Sequence, residues 1–135
     1  MIKEFWINLP VKDINKSKDF FTKLGFQFNT DLGNSEHSVC LLMGAKNVVV
    51  MLFQATVFEG FTNNDICNTS RSTEVLLSYD APNKTEVDNI VQKALDAGGV
   101  SSHIPKEMNG WMYGAVFSDL DGHKWNVLHM DMSKR

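Results

Sequence analysis

Cysteine is scarce: 135 residues contain two, Cys40 and Cys67. One lies in an apolar run and the other in a polar stretch. That pattern speaks against a disulfide framework and for reduced thiols in the cytoplasm. Basic runs are missing as well. No five consecutive cationic residues occur, and the formal net charge is -3. Nucleic acid binding draws on clustered Lys and Arg that displace counterions, so no nucleic acid partner is expected. An anionic surface argues equally against a membrane partner. Long apolar stretches are absent too. The longest, Val48 to Phe53, has the length of a strand, and Lys3, Glu4 and Asn8 interrupt the N-terminal MIKEFWINLPVKD. That opening reads as neither a signal peptide nor a spanning helix. His37, His103 and His129 stand in separate segments without an i,i+4 partner. The methionines show no tight spacing, which suits adaptable core filling better than soft-metal binding.

What is present is globular composition, 43% hydrophobic and 21% charged, and a length suited to one domain spanning 1–135. Alternation predicts a strand from Phe5 to Val11. Asp13 offers an N-cap to a helix carrying Ile14, Phe20, Phe21 and Leu24, which Gly25 stops. A short strand follows at 26–29, then turn chemistry at 31–35. Two strands, His37 to Met43 and Asn47 to Phe53, are joined by Gly44-Ala45-Lys46. A polar connector, 54–71, should hold one or two helical turns. The order then recurs. A strand runs from Thr73 to Tyr79, a helix opens at Pro82 and ends at Gly98-Gly99, and a short strand covers Val100 to His103. After a loop from Ile104 to Gly110, strands Trp111 to Ser118 and His123 to Met130 flank Asp119-Leu120-Asp121-Gly122.

Two βαβββ modules, 3–53 and 72–131, thus share an order rather than a sequence. The expected fold is α+β, a curved eight-stranded mixed sheet with helices on the convex face and a cup on the concave one. Parity assigns the faces. With Phe5, Ile7, Leu9 and Val11 under the first helix, Trp6 and Asn8 face the cup. With Val75, Leu77 and Tyr79 under the second, Glu74, Leu76 and Ser78 do. With Trp125 and Val127 packed, Lys124, Asn126 and Leu128 do. Apolar walls with a few polar groups are the usual build of a ligand pocket.

The strings NLPVKDINKSKDFFTKLGF (8–26), STEVLLSYDAPNKTEVDNIVQKALDAGG (72–99) and WMYGAVFSDLDGHKWNVLHMD (111–131) resemble the vicinal-oxygen-chelate superfamily, that of glyoxalases, bleomycin resistance proteins and extradiol dioxygenases. More narrowly they resemble small bacterial proteins described as predicted lactoylglutathione lyases. The resemblance implies the paired βαβββ fold, frequent homodimers and a small-molecule site in the cup. It also implies a divalent metal held by His, Gln or Glu on the first and last strands of each half. Carried over by spacing, those positions are Trp6, Met51, Glu74 and Asn126. An indole does not ligate, a thioether prefers soft ions, and an amide oxygen is a weak donor. The metal site is therefore expected to be degenerate, with no tightly bound cofactor. Glu74 and Asn126 are the weak candidates that remain.

Glu74 has two readings. It is a general base of raised pKa in a partly dry cup, or a strand carboxylate that is hydrated or paired with Lys124. Ligand contacts are expected from Trp6, Asn8, Met51, Ser78, Lys124, Asn126 and Trp111. Of Trp111, Met112 and Tyr113, alternation leaves open which face the cup. His123, after Asp-Gly, reads as a hydrogen-bonding turn residue. The expected function is binding of a small metabolite or drug by a glyoxalase-like protein of unassigned activity. Two alternatives stand beside it. One is a lyase or isomerase of glyoxalase type, with Asn8 and Asn126 holding an oxyanion. The other is a sequestering protein of bleomycin-resistance type, with Trp6 and Trp111 as stacking surfaces.

Overall fold

The computed structural model describes residues 1–101 and 103–135 and divides the chain into two units, Met1–Cys67 and Asn68–Arg135. The first unit runs β1 (Trp6–Val11), α1 (Ile14–Lys23), β2 (Gln27–Phe28), β3 (Ser38–Met43), β4 (Val48–Gln54) and α2 (Ala55–Thr62). Asp13 caps α1 by accepting the Lys16 N–H at 3.0 Å, a contact worth about 1 kcal/mol. Gly25, at φ 84°, supplies the left-handed residue that ends it. Gly25 N–H donates to the Thr22 carbonyl at 3.0 Å and Phe26 N–H to the Phe21 carbonyl at 2.9 Å, which is a Schellman stop. The strands form a mixed sheet in the order β1-β4-β3-β2, with β1 and β4 parallel. Leu9, Val11, Leu41, Val50 and Leu52 are buried on one face together with Phe20 and Phe21 of α1.

The second unit repeats the plan with β5 (Leu76–Asp80), α3 (Lys84–Asp96), β6 (Lys106–Met108), β7 (Met112–Ser118) and β8 (Lys124–Met130). Its sheet order is β5-β8-β7-β6, again with the first pair parallel. Asn83 caps α3 through the Glu86 N–H at 2.8 Å. Gly98 N–H to the Leu95 carbonyl at 3.1 Å and Gly99 N–H to the Ala94 carbonyl at 2.8 Å repeat the same stop. Val87, Val91 and Ala94 are buried with Phe117, Trp125 and Val127. The α+β class and the doubled βαβββ order are those expected, and α2 supplies the helical turns expected in the connector. The eight strands hydrogen-bond as two four-stranded sheets.

Several boundaries differ from the sequence-based expectation. β1 starts at Trp6, the first residue with a partner on β4 (Val49), so Phe5 lies outside the strand and 73% exposed rather than under α1. β5 starts at Leu76 rather than Thr73, because the parallel ladder begins at Leu76 opposite Lys124. The residues that precede Lys124 are committed to a turn. Glu74 and Val75 are consequently exposed and belong to no strand. The expected strand at 100–103 is reduced to one bridge from Val100 to Ser118, with Ser102 outside the described residues. The regular second strand of this unit is β6, inside the stretch expected to be loop.

Candidate functional site

In the first unit, register fixes which side chains share the face away from α1. Asn8, Met51 and Cys40 are aligned across β1, β4 and β3, flanked by the rows Trp6–Val49 and Pro10–Phe53–Ser38. Trp6 is 52% exposed, and Met51 and Cys40 are buried. A surface sheet face would leave both of the latter in water. What covers them is the loop between β2 and β3.

That loop is tied down by asparagines. Asn29 Oδ1 accepts from the N–H groups of Asp31 at 2.8 Å and Leu32 at 3.0 Å. Asn34 Nδ2 donates to the carbonyl of Asn29 and, at 3.3 Å, to that of Leu32. Asn34 Oδ1 in turn accepts the Cys40 N–H at 3.2 Å. Ser38 Oγ donates to the Gly33 carbonyl at 2.9 Å. Gly33, at φ 81°, lies directly on the sheet: a Cβ there would stand 2.9 Å from Cys40 Cβ and 3.1 Å from Met51 Sδ. Only glycine meets both the left-handed backbone and the close approach.

Beside this contact a cavity of about 610 Å³ opens. Its walls are aromatic and apolar (Phe5, Trp6, Leu32, Val49, Met51 and Phe53), and Cys40 and Asn29 also line it. Burial pushes the Cys40 thiol up, with the Asn29 backbone pulling partly back. The thiol is therefore held protonated, as a soft wall rather than a nucleophile. Phe61 of α2 meets Phe53 edge-on at 5.0 Å. The size falls within the range of small-molecule pockets, roughly 300–1,000 Å³.

Of the residues expected to contact a ligand, Trp6 and Met51 line this cavity. Asn8 shares their sheet face, exposed, but is not part of the wall. In the second unit, Ser78 and Asn126 are register partners on the face away from α3, and Asn126 Nδ2 donates to Ser78 Oγ at 3.1 Å. Lys124 lies in the same file, but its ammonium is engaged by the carbonyls of Gly122 at 2.7 Å and Thr69 at 3.3 Å. No ion pair joins it to Glu74 among the described residues. Trp111 sits half-buried in the turn before β7. Tyr113 points to the helix side, where its hydroxyl donates to Asp88 at 2.7 Å. His123 is buried in the turn organised by Asp119, which accepts the N–H groups of Asp121 at 2.9 Å and His123 at 3.0 Å.

Sequence reasoning missed Cys40, Phe5, Phe53 and the covering loop. Cys40 was legible in principle, since strand alternation places it beside Met51 once the hairpin register is known. Gly33-Asn34 signalled a turn, but nothing in a turn signal says that it folds back over the sheet.

A model of the family described as Bleomycin resistance protein-like N-terminal matches residues 4–35. Among solved structures, the chain is similar to the hypothetical protein SA1046 from S. aureus, at 33% identity over 96% of this chain and 95% of that one, with a TM-score of 0.85. A glyoxalase/bleomycin resistance protein/dioxygenase family enzyme from Burkholderia phytofirmans PsJN superposes with a TM-score of 0.77, at 20% identity over 93% of this chain and 96% of that one. The chain has the fold of the glyoxalase/bleomycin resistance protein/dioxygenase proteins. A glyoxalase-related enzyme from Fulvimarina pelagi shares this fold, with a TM-score of 0.79 at 17% identity over 95% of this chain and 88% of that one. No curated protein is significantly similar to it in sequence.

The divalent metal that the vicinal-oxygen-chelate resemblance implies is a poor fit to these residues. In the first unit its two positions present the Trp6 indole and the buried Met51 thioether. In the second they present Glu74, exposed on a bend, and Asn126, already hydrogen-bonded to Ser78. Among the described residues no three His, Cys, Asp or Glu side chains gather as a metal site. Hard and borderline divalent ions need oxygen and nitrogen donors, and no step is assigned to a metal here.

Proposed function

We propose that this glyoxalase-like protein binds a small organic ligand in the cavity of its first unit, with the apolar body of the ligand against Trp6, Phe5 and Phe53. The observation that carries this is the open pocket of about 610 Å³, bordered by a loop that the backbone of Gly33 seats on Met51 and Cys40. Sequestration is favoured over glyoxalase-type turnover because Glu74, the expected base, is exposed and off the sheet. The same reading takes the protein as a homodimer, which sedimentation tests against the 15.2 kDa chain mass.

The neutral fluorophore N-phenyl-1-naphthylamine tests the cavity. It should bind one to one, and Trp6→Ala should weaken binding roughly tenfold, the size of one lost aromatic contact. Glu74→Gln should leave it unchanged. Hemithioacetal isomerisation should stay at background after addition of Zn, Ni or Mn. Turnover that Glu74→Gln abolishes would replace this reading with the lyase one.

A further inference from the structure

The apolar walls of the cavity explain an apolar body but not the charges at its edge. Three charged side chains line it: Lys3, Glu4 and Lys46. All three are exposed, so their head groups meet solvent at the rim. They come from two separate places in the chain. Lys3 and Glu4 precede β1, and Lys46 sits in the β3–β4 turn, beside Asn47 at φ 53°. Among the described residues neither Lys3 nor Lys46 forms an ion pair. Lys23, Lys84 and Lys134, by contrast, have acidic partners elsewhere on the surface. The rim therefore carries an excess of one positive charge in a chain whose formal net charge is -3. Its cations are uncommitted, on the edge of a pocket with aromatic walls.

We propose that the ligand of this cavity is an aromatic anion, a flat apolar body bearing a carboxylate, sulfonate or similar group, seated with the body against Trp6 and Phe5 and the anion between Lys3 and Lys46. The inference rests on the binding reading above and specifies its ligand class. The physics is ordinary. The apolar body gains by leaving water, and the anion stays at the wet rim, where it keeps its hydration and gains from two ammonium groups at little desolvation cost. The buried floor of Met51 and the protonated Cys40 thiol offers an anion nothing, which orients the ligand charge-outward. A cationic ligand of the same shape would meet the net repulsion of the rim. Attraction of this kind between exposed charges is screened by salt, the Debye length falling from about 10 Å at 0.1 M to about 3 Å at 1 M.

The test compares two probes that share one aromatic frame. 8-Anilinonaphthalene-1-sulfonate carries the anion and N-phenyl-1-naphthylamine lacks it. Each is titrated into wild type, Lys3→Gln/Lys46→Gln and Trp6→Ala, with circular dichroism confirming the fold of each variant. The sulfonate should bind one to one and about tenfold more tightly than the neutral probe at low salt, a preference that 1 M salt should largely erase. The double lysine variant should lose the preference while binding the neutral probe as before. Trp6→Ala should weaken both. Equal, Trp6-dependent binding of the two probes would overturn the anion assignment and leave the cavity standing. A sulfonate preference that survives in the double lysine variant would also overturn it. Failure of both probes to bind, or indifference of both to Trp6→Ala, would overturn the cavity reading and this inference with it.

Discussion

Asp119 is the most constrained ionisable side chain in the second unit. It is buried, and besides the two backbone N–H groups of its own turn it accepts Trp125 Nε1–H at 3.0 Å. The connector closes over the same turn: a Cβ on Gly122 would lie 2.7 Å from the Ser70 nitrogen, and Thr69 Oγ1 donates to the Asp121 carbonyl. The Asp-Leu-Asp-Gly-His segment is thereby a structural clasp. Asp119→Ala removes the acceptor of buried donors, each costing about 1–3 kcal/mol when left unmatched. A loss of about 3 kcal/mol is expected from urea unfolding, against about 1 kcal/mol for Trp125→Phe, which removes one bond of the set. Burial raises the Asp119 carboxyl above its ordinary range, more than the nearby His123 charge and the donors of Trp125 and Asp121 lower it. The folded state thus holds this proton more tightly than the unfolded chain. Stability from this group is greatest below the unfolded carboxylate pKa, falls as pH rises toward the raised folded value, and levels off above it. The stability of wild type relative to Asp119→Asn should therefore decline across that window. A difference that stays constant with pH would refute the assignment. At the other end of the chain, Gly33→Ala meets both a positive φ and a contact 2.9 Å from Cys40 Cβ. It should cost about 1–3 kcal/mol and weaken N-phenyl-1-naphthylamine binding by lifting the loop off Met51.

The helices α1 and α3 are each bounded by local chemistry that the sequence states openly. Asp13 and Asn83 cap α1 and α3, and Gly25 and Gly98, at φ 84° and 103°, stop them. Gly25→Ala and Gly98→Ala should each lower the unfolding midpoint by an amount equivalent to about 1 kcal/mol, with additive effects, since the two stops lie in separate units. The same locality explains which parts of the fold were legible. Caps, stops and alternation act within a few residues, so helices and central strands could be read directly. Strand ends depend on where a partner begins. Phe5, Glu74 and Val75 carry the right alternation but have no ladder partner, and parity means nothing for a side chain off the ladder. β6 was unreadable for the opposite reason. Lys106-Glu107-Met108 has no strand pattern of its own and is recruited by pairing with Met112–Gly114. Of the site, Trp6 followed from parity, and Met51 from the spacing carried over with the resemblance. The covering loop did not, because its position is decided by asparagine side chains reaching the backbone and by one glycine seated on two sulfur-bearing residues.

At the scale of the whole molecule, the paired βαβββ order is complete while the metal chemistry that the vicinal-oxygen-chelate resemblance implies is not. An indole, a thioether, one exposed acid and one engaged amide occupy the positions where the resemblance implies oxygen and nitrogen donors. A bound metal would show itself as stability: a ligand held at one hundred times its Kd adds about 2.7 kcal/mol to the folded state. In a chain of 135 residues that corresponds to a rise of roughly 10 °C in Tm. Zn, Ni, Mn and Fe(II), each supplied at about 100 µM, should instead shift Tm by less than about 1 °C, the change left when Kd exceeds the supplied concentration several-fold. Protein dialysed after metal loading should retain far less than one equivalent. The aromatic sulfonate probe should behave oppositely, raising Tm in proportion to the logarithm of its concentration above Kd and losing that effect in Trp6→Ala. One equivalent of metal retained through dialysis, with a matching rise in Tm, would mean that donors other than those four positions have assembled a site.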